Sequence, residues 1–285
     1  MVKVNKFMII LFILLIHINI ANTEISFSIN SGYGNYKKSD LDDVFRSIAE
    51  VNIPTNAIQR VDKNTTTSFE NFFATISLKD IKFPLGILIE LGYESIPEIN
   101  HTLYFYKSSE YFIAGKKEVF KADEIFKENV KIFMMPISIE LFYPIYIKRE
   151  SIILQISGGP LFSIGKFKVS YKYLQQPLND AIYNFSTTGT GINSKIFFEW
   201  KIDKKTSFLL GIIFQSIKLS NFKGNIDGVD HKLYYLKDIY KNKRIWFLSG
   251  SEYKSLKTSP YISELREFIA DFSGICIRTG IKFYF

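Results

Sequence analysis

The sequence predicts an all-β fold, an antiparallel up-and-down β-barrel that crosses a membrane, and three observations lead to this prediction. Segments along the chain alternate apolar and polar residues with a period of two, which is typical of strands with one apolar face. No segment after residue 21 has the roughly 18 to 20 unbroken apolar residues of a membrane-spanning helix. The connections alternate between long and short, as in barrels with short turns on one side of the membrane. We expect eight strands, with ten as the alternative, and a short helix in the first long loop.

The N-terminus predicts a secretory signal peptide over residues 1–21. Lys3 and Lys6 give a positive start, Phe7 to Ile18 is nearly all apolar, and a polar turn follows. This three-part layout is typical of export signals, and the apolar part is too short for a comfortable spanning helix. A retained membrane anchor is the alternative. We therefore assign residues 22–285 to a single barrel domain, with cleavage after Ala21.

Composition limits the partners and cofactors. Removing Lys3 and Lys6 lowers the 36 basic residues to 34, against 28 acidic residues. This mild excess does not argue for nucleic acid, and it favours anionic lipid head groups. The one cysteine, Cys276, cannot form an internal disulfide, and nothing resembles a zinc or nucleotide site. We expect no cofactor, no metal and no nucleic-acid partner.

In the first half of the chain two segments predict strands clearly, and the other segments predict them weakly. Glu24–Asn30 alternates strictly and predicts the first strand. Ser39 followed by acidic residues predicts a helix start, with the helix ending at about Glu50. Leu85–Tyr93 is the clearest middle strand, whereas Phe72–Leu78 is interpreted as strand outside the membrane. Between them and the second half we place a short turn at residues 96–99, a weak strand at His101–Lys107, and mostly loop over 108–129.

The second half predicts the remaining strands with short turns between every other pair. Charged residues at 148–150 and 203–205 mark two tight turns. The predicted strands are 131–143, 152–167, 189–202, 207–219 and 273–285, and 170–187 is predicted as loop. A further hairpin within 231–248 is interpreted as an extension above the membrane, although placing it in the barrel would give ten strands.

The last strand has one apolar and one charged face. Ile275, Ile277, Ile281, Phe283 and Phe285 alternate with polar residues that include Arg278 and Lys282. A lipid-facing wall with a packed polar interior has this pattern. The alternative is the edge strand of a soluble β-protein.

The same strand resembles the C-terminal β-signal of bacterial outer-membrane barrels. Arg278, Gly280, Phe283 and the terminal Phe285 fill that pattern, which spans 8 residues. The order of strands and loops across the mature chain is similar to the small OmpA-type and OmpX-type eight-stranded barrels. The resemblance implies location in the outer membrane, recognition by the barrel-assembly machinery during biogenesis, and a monomer surrounded by outer-membrane lipid and lipopolysaccharide.

Six charged residues fall on predicted inner faces. They are Glu90, Glu140, Lys195, Glu199, Arg278 and Lys282. The interior of an eight-stranded barrel has room for side chains and little else. Buried carboxylates need partners, so we expect an ion-pair network that fills and pins the barrel. A narrow ion or small-solute channel is the alternative interpretation of the same residues.

The long outer loops are the other candidate site. Basic and aromatic residues cluster in the fourth loop at Lys237, Lys241, Lys243, Arg244 and Trp246. Such a patch can contact lipopolysaccharide phosphates. A lipid-modifying enzyme would need a serine beside a histidine. His101 is predicted at a short turn and His231 lacks a matching serine motif, so we expect a non-enzymatic structural or surface-binding protein.

Overall fold

A computed structural model gives the fold of the chain. It describes residues 23–36, 40, 43, 57–61, 68–80, 84–96, 99–113, 116–147, 151–173, 181–241 and 243–285. For 57–61 and most of 99–127, only the backbone is described. The predicted signal peptide lies outside these residues, and of the predicted helix between Ser39 and Glu50 only Asp40 and Asp43 are described.

Strands make up most of the described chain. They are β1 (Thr23–Tyr36), β2 (Ala57–Val61), β3 (Ser68–Asp80), β4 (Gly86–Ser95), β5 (Ile99–Ile113), β6 (Lys116–Ile147), β7 (Ile152–Tyr173), β8 (Ala181–Lys201), β9 (Thr206–Leu219), β10 (Lys223–Ile226), β11 (Val229–Asp238), β12 (Lys243–Leu248), β13 (Ile262–Glu267), β14 (Ala270–Asp271) and β15 (Gly274–Tyr284). One helix, α1 (Gly250–Lys257), follows β12. No helix in the described part of the chain is long and apolar enough to cross a membrane.

Eight of these strands close into a ring. Its order is β1, β3, β4, β6, β7, β8, β9 and β15, every neighbouring pair is antiparallel, and β15 pairs with both β9 and β1. The predicted eight-stranded up-and-down barrel is confirmed. The hairpin of β11 and β12 pairs with β10 and β13 outside the ring, so the ten-stranded alternative is wrong.

The ring has two different ends. β3 ends and β4 begins at one end, where β6 is likewise followed by β7 and β8 by β9 after few residues, and where β1 begins and β15 finishes. We call this the short-turn end. The remaining strands and α1 lie at the opposite end, which we call the loop end.

Several predictions about the first half of the chain are wrong. Phe72–Leu78 does not lie outside the membrane: it belongs to β3 in the ring, which ends at Asp80 and is followed by β4 from Gly86, so the short-turn end lies before β4 and not after it. His101–Lys107 belongs to β5, which pairs with the loop-end half of β6 and not with the ring around it. His101 is therefore at the loop end. The region 108–129 is largely a β5–β6 hairpin, in which charged residues hide the strand periodicity.

The strands also extend further than predicted at the loop end. β7 continues to Tyr173 and β8 begins at Ala181, so most of the predicted 170–187 loop is strand. Antiparallel pairing continues through these residues beyond the apolar part of the wall. Backbone pairing therefore sets the length of these strands. Outside lipid, the amino-acid pattern indicates such pairing only weakly.

The wall of the ring is apolar outside, and its inner face carries buried charged residues together with apolar side chains such as Phe73 and Leu209. Large apolar side chains are exposed on every ring strand, including Ile76 at 47%, Phe162 at 45%, Ile192 at 66% and Ile277 at 57%. In contrast, the inward-facing Arg278 is only 1% exposed. A soluble monomer rarely exposes apolar surface on this scale, whereas a lipid-facing barrel requires it.

Candidate functional site

Glu90 lies at the centre of an ion-pair network in the barrel interior. Its Oε1 is 2.5 Å from Lys195 Nζ and 3.0 Å from the Arg278 guanidinium, and Thr75 donates its hydroxyl at 3.2 Å. Thr75 comes from β3, the neighbour of β4, whereas Lys195 of β8 and Arg278 of β15 reach Glu90 from strands three positions away around the ring. Glu90 is 2% exposed, so these contacts replace the water that the carboxylate would otherwise need.

Glu140 extends the network to β6. Its carboxylate is 2.5 Å from Lys195 Nζ, which therefore bridges two acids. Ser138 donates to it at 2.6 Å, Ser157 at 2.7 Å and Asn193 at 3.0 Å. A buried carboxylate with this many donors is well satisfied, because an ionised carboxylate offers about four acceptor positions.

Arg278 joins two acids and an aromatic ring. Besides Glu90, its guanidinium lies 3.4 Å from Glu94, which also accepts a hydrogen bond from Gln215 at 2.8 Å. The guanidinium carbon lies 3.4 Å from the centroid of Phe73. This combination of fork geometry and ring stacking is specific to arginine.

A second ion pair lies nearer the short-turn end. Lys282 Nζ is 3.0 Å from Glu199, and the Tyr284 hydroxyl donates to the same carboxylate. Beyond this pair a cavity of about 300 Å³ opens toward the short-turn end, lined by Lys79, Gln155 and other polar residues.

The structure places all six candidate interior residues on the inner face. Glu90, Glu140, Lys195 and Arg278 contact one another in a chain, and Glu199 and Lys282 form the separate pair. Sequence reasoning missed Glu94, which is 0% exposed. Extending the period-two alternation of β4 by four residues from Glu90 would have found it.

An apolar cluster closes the loop end of the interior. We call Phe167, Phe185, Leu219, Phe222, Phe268 and Phe272 the outer-mouth cluster, and each is 2% exposed or less. Phe167 makes edge contacts with Phe222 at 6.3 Å and with Phe268 at 5.5 Å between ring centroids. Phe222, Phe268 and Phe272 lie outside the ring strands, so loop segments fold back to fill the mouth.

An aspartate from the first loop holds the segment that carries Phe268. Both Asp40 oxygens accept from Arg266, at 2.5 and 2.7 Å, and the Ile269 N–H donates to Asp40 at 2.8 Å. The hydrogen bonds that Arg266 donates to Asp40 raise the pKa of Arg266 above its ordinary value. Arg266 also lies 4.4 Å over the Tyr235 ring. Burial, followed by the charge of Asp43, raises the pKa of Tyr235 to about 12.

The fourth-loop patch is divided between two faces of β12. Lys243 shares a face with Ile245 and Phe247, which pack on the core, and its ammonium lies 3.5 Å from Asp43. Arg244 and Trp246 point to the other face, opposite Leu236 and Tyr234 of β11. Lys237 pairs in register with Lys243, and the exposed Lys241 lies at the hairpin tip with a φ of 67°. The five residues lie on one hairpin, but they do not form one surface.

His231 lies next to a carboxylate rather than a serine. Its Nε2 is 3.8 Å from Glu252, and its Nδ1 is 2.9 Å from the Val229 carbonyl. Ser249 caps α1: its backbone N–H and its hydroxyl donate to Glu252 at 2.8 and 2.7 Å, and these bonds lower the pKa of that carboxyl. Among the described residues no serine hydroxyl bonds to His231. No group of three or more potential metal ligands occurs there either.

The β-signal residues lie along β15. Gly280 is opposite Asn30 of β1, and the N–H of Phe285 donates to the Ile25 carbonyl at 3.1 Å. Phe283 and Phe285 point outward and are 38% and 83% exposed. Their side chains are thus on the lipid-facing surface, at the short-turn end.

Solved outer-membrane proteins align with most of this chain. A major outer membrane protein from Thermus thermophilus aligns over 92% of this chain and 99% of that chain, with 11% identity and a TM-score of 0.40. The outer membrane protein OprG from Pseudomonas aeruginosa aligns over 91% of this chain and 95% of that chain, with 10% identity and a TM-score of 0.36. No protein-family model matches the chain, and no curated protein matches it in sequence.

Proposed function

We propose that the chain is an integral outer-membrane protein whose barrel is closed to solute and serves as a rigid anchor for a surface-binding loop domain. The observation that carries the proposal is the buried ion-pair chain of Arg278, Glu90, Lys195 and Glu140. It links opposite walls of the ring, so the lumen contains side chains where a pore would contain water.

The outer surface of the ring supports insertion into a bilayer. Exposed apolar residues occur on all eight ring strands, and aromatic residues such as Trp200 and Phe208 stack near the short-turn end at 6.1 Å. Aromatic girdles at the membrane interface are typical of outer-membrane barrels. The antiparallel ring leaves no unpaired strand edge within the wall, which a bilayer core requires.

A second barrier supports a closed barrel. The outer-mouth cluster fills the loop end with packed aromatic rings, independently of the charged network below it. A solute would have to displace both an apolar and an ionic layer. The cavity of about 300 Å³ at the short-turn end reaches only the Lys282–Glu199 pair.

The loop domain is the part that meets the cell surface. Arg244 and Lys241 are exposed on the β11–β12 hairpin, where lipopolysaccharide phosphates would accept charge-assisted hydrogen bonds. Recognition of β15 by the barrel-assembly machinery and a monomeric state belong to the same proposal. We infer no enzymatic role, since Ser249 donates to Glu252 and not to His231.

Planar-bilayer recording tests the closed barrel. We expect the refolded mature chain, shown to be folded by heat-modifiable gel migration, to give no discrete openings. Openings whose conductance changes in Glu140→Gln or Arg278→Met would overturn the proposal and establish the narrow channel instead. Lys204→Gln is the control, because Lys204 is exposed on a short turn and changes charge outside the lumen.

A further inference from the structure

Four lysines form a cluster on the outer wall at the loop end. Lys131 of β6 and Lys168 of β7 are direct cross-strand partners, and Lys166 lies two residues from Lys168 on the same face. Lys166 pairs with Ser186 of β8, and Ser186 pairs in turn with Lys223 of β10. Lys166, Lys168 and Lys223 are exposed, and Lys131 is half-buried. The cluster therefore runs across four neighbouring strands.

These lysines have no counter-charge among the residues that the structure describes. None of the four makes an ion pair or a side-chain hydrogen bond within the described chain. In contrast, the ammonium of the nearby Lys218 lies 3.7 Å from the Asp271 carboxylate, and that of Lys232 lies 3.6 Å from the Glu267 carboxylate. Like charges placed directly opposite each other across two strands are destabilising. An external anion would remove this repulsion at Lys131 and Lys168.

The cluster lies at the height where the apolar wall ends. The outward residues of β7 are apolar from Ile152 to Ile164, and the next outward residue is Lys166. At about 3.3 Å per residue and a strand tilt of about 40°, this apolar run spans about 30 Å along the barrel axis. This matches the thickness of a bilayer core, roughly 30 Å, so Lys166 lies at the head groups of the loop-end leaflet.

An apolar groove lies directly below the lysines. It has a volume of about 400 Å³ and is lined by Met135 and Ile137 of β6, Phe162 and Ile164 of β7, and small residues of β8. Thr188, Gly189 and Thr190 supply those small residues. The volume is within the range of small-molecule sites, about 300–1,000 Å³. The groove faces the membrane, so an acyl chain is the ligand that would reach it.

We propose that this face, the lysine cluster with the groove below it, binds the phosphorylated and acylated lipid A portion of lipopolysaccharide in the outer leaflet. The inference rests on the proposed membrane insertion. Lys131, Lys166 and Lys168 donate to the phosphate, and one acyl chain lies in the groove. Along β7 the lysines lie nearer the loop end than the groove does. In lipid A the phosphate likewise lies above the acyl chains, at the level of the head groups.

The test measures binding of purified bisphosphorylated lipid A to the refolded mature chain in detergent, by native mass spectrometry titration. A surface lysine contributes roughly fivefold to the affinity for an anionic lipid, so K131Q/K166Q/K168Q is expected to lower affinity on the order of 100-fold. The matched control K204Q/K205Q/K254Q removes three exposed lysines elsewhere and is expected to bind like the unmodified chain. Equal binding by the cluster variant and the unmodified chain would overturn the inference.

Two further ligands and one variant test the lysine cluster and the groove separately. Dephosphorylated lipid A should bind the unmodified chain as weakly as bisphosphorylated lipid A binds the cluster variant. Thr188→Trp should fill the groove and so weaken the binding of bisphosphorylated lipid A. Equal affinity for the dephosphorylated lipid, or for phosphatidylglycerol, would overturn the assignment to lipid A. Heat-modifiable migration and insertion into vesicles are measured on the same samples. Failure to insert contradicts the proposed function, whereas insertion without selective binding contradicts this inference alone.

Discussion

Single glycines shape the barrel interior by making room for large neighbours. Gly92 is the cross-strand partner of Phe73, and Gly211 is the partner of Phe197. At both positions a Cβ atom would be closer to the opposite ring than van der Waals contact allows. A phenyl ring lying over a strand glycine also covers the backbone that the missing side chain leaves open. These glycines are required by packing rather than by backbone conformation.

Gly92→Ala is expected to destabilise the barrel by about 1–3 kcal/mol, the usual effect of overpacking a well-filled interior. The added methyl would be 2.6 Å from Phe73 Cζ, and this ring lies 3.4 Å from the Arg278 guanidinium, so the network must also shift. Urea unfolding in detergent micelles measures the change. Gly250→Ala is the control, because no atom lies within 4 Å of its added Cβ and its effect should stay within about 0.5 kcal/mol. Equal stability of the two variants would contradict this account of Gly92.

At the scale of elements, the loop domain is held together by contacts between segments far apart in sequence. Asp40 joins the first loop to the β13–β14 connection through Arg266 and Ile269. Tyr235 of β11 lies under Arg266 and is 2% exposed. The stability of this domain therefore depends on a buried tyrosine next to Asp43 and Glu264.

The loop domain is expected to lose stability as the pH rises from about 10 to about 12. The folded domain keeps the Tyr235 proton up to a pKa of about 12, while the unfolded chain releases it near the ordinary value of 10.0, so deprotonation favours unfolding in this window. Trp246 fluorescence in a Trp200→Phe background reports on the domain, since Trp246 lies in β12. Tyr235→Phe should weaken the alkaline loss, and Tyr240→Phe, at a side chain 76% exposed, should not. An unchanged alkaline transition in Tyr235→Phe would assign it to another group.

The strands that the sequence predicts best are those with one face against lipid and the other face against the packed interior of the barrel. β9 has an apolar residue at every outward position from Phe208 to Phe214. β15 keeps the period of two except at Thr279, because Ile277 must be apolar for lipid while Arg278 points inward. β3 was misplaced because its inner face carries Thr75 and Ser77 and charged residues follow at Lys79 and Asp80, which lowers its apparent apolarity.

Strands outside the membrane are not required to be apolar on one face and polar on the other. The β5–β6 hairpin places Lys116 opposite Ile113 and Glu118 opposite Tyr111, so no apolar period marks it. Among the site residues, Glu94 was missed at the end of β4, where the alternation was not carried past Tyr93. The lysine cluster was also invisible in the sequence, because its members are adjacent only through the register of four strands.

At the scale of the whole molecule, two kinds of contact hold the ring. Backbone hydrogen bonds join each strand to its neighbours, whereas the ion pairs join strands that are two or three positions apart around the ring. Arg278 of β15 reaches Glu90 of β4, and Lys195 of β8 reaches the same carboxylate. The described network and its companion pair contain four carboxylates and three cations. Removal of one cation therefore increases the excess of buried negative charge.

Arg278→Met is expected to lower the free energy of unfolding of the whole barrel by about 3–5 kcal/mol, because it leaves Glu90 and Glu94 buried with one cation fewer. Urea unfolding and heat-modifiable migration in micelles measure the loss. Lys218→Met is the control: it removes a pair whose lysine side chain is 66% exposed, and such surface pairs contribute about 0–1 kcal/mol. Adding Glu94→Gln to Arg278→Met should restore part of the loss, since it removes one uncompensated charge. If Arg278→Met unfolds like the unmodified barrel, the ring is held by backbone pairing alone and the network does not pin it.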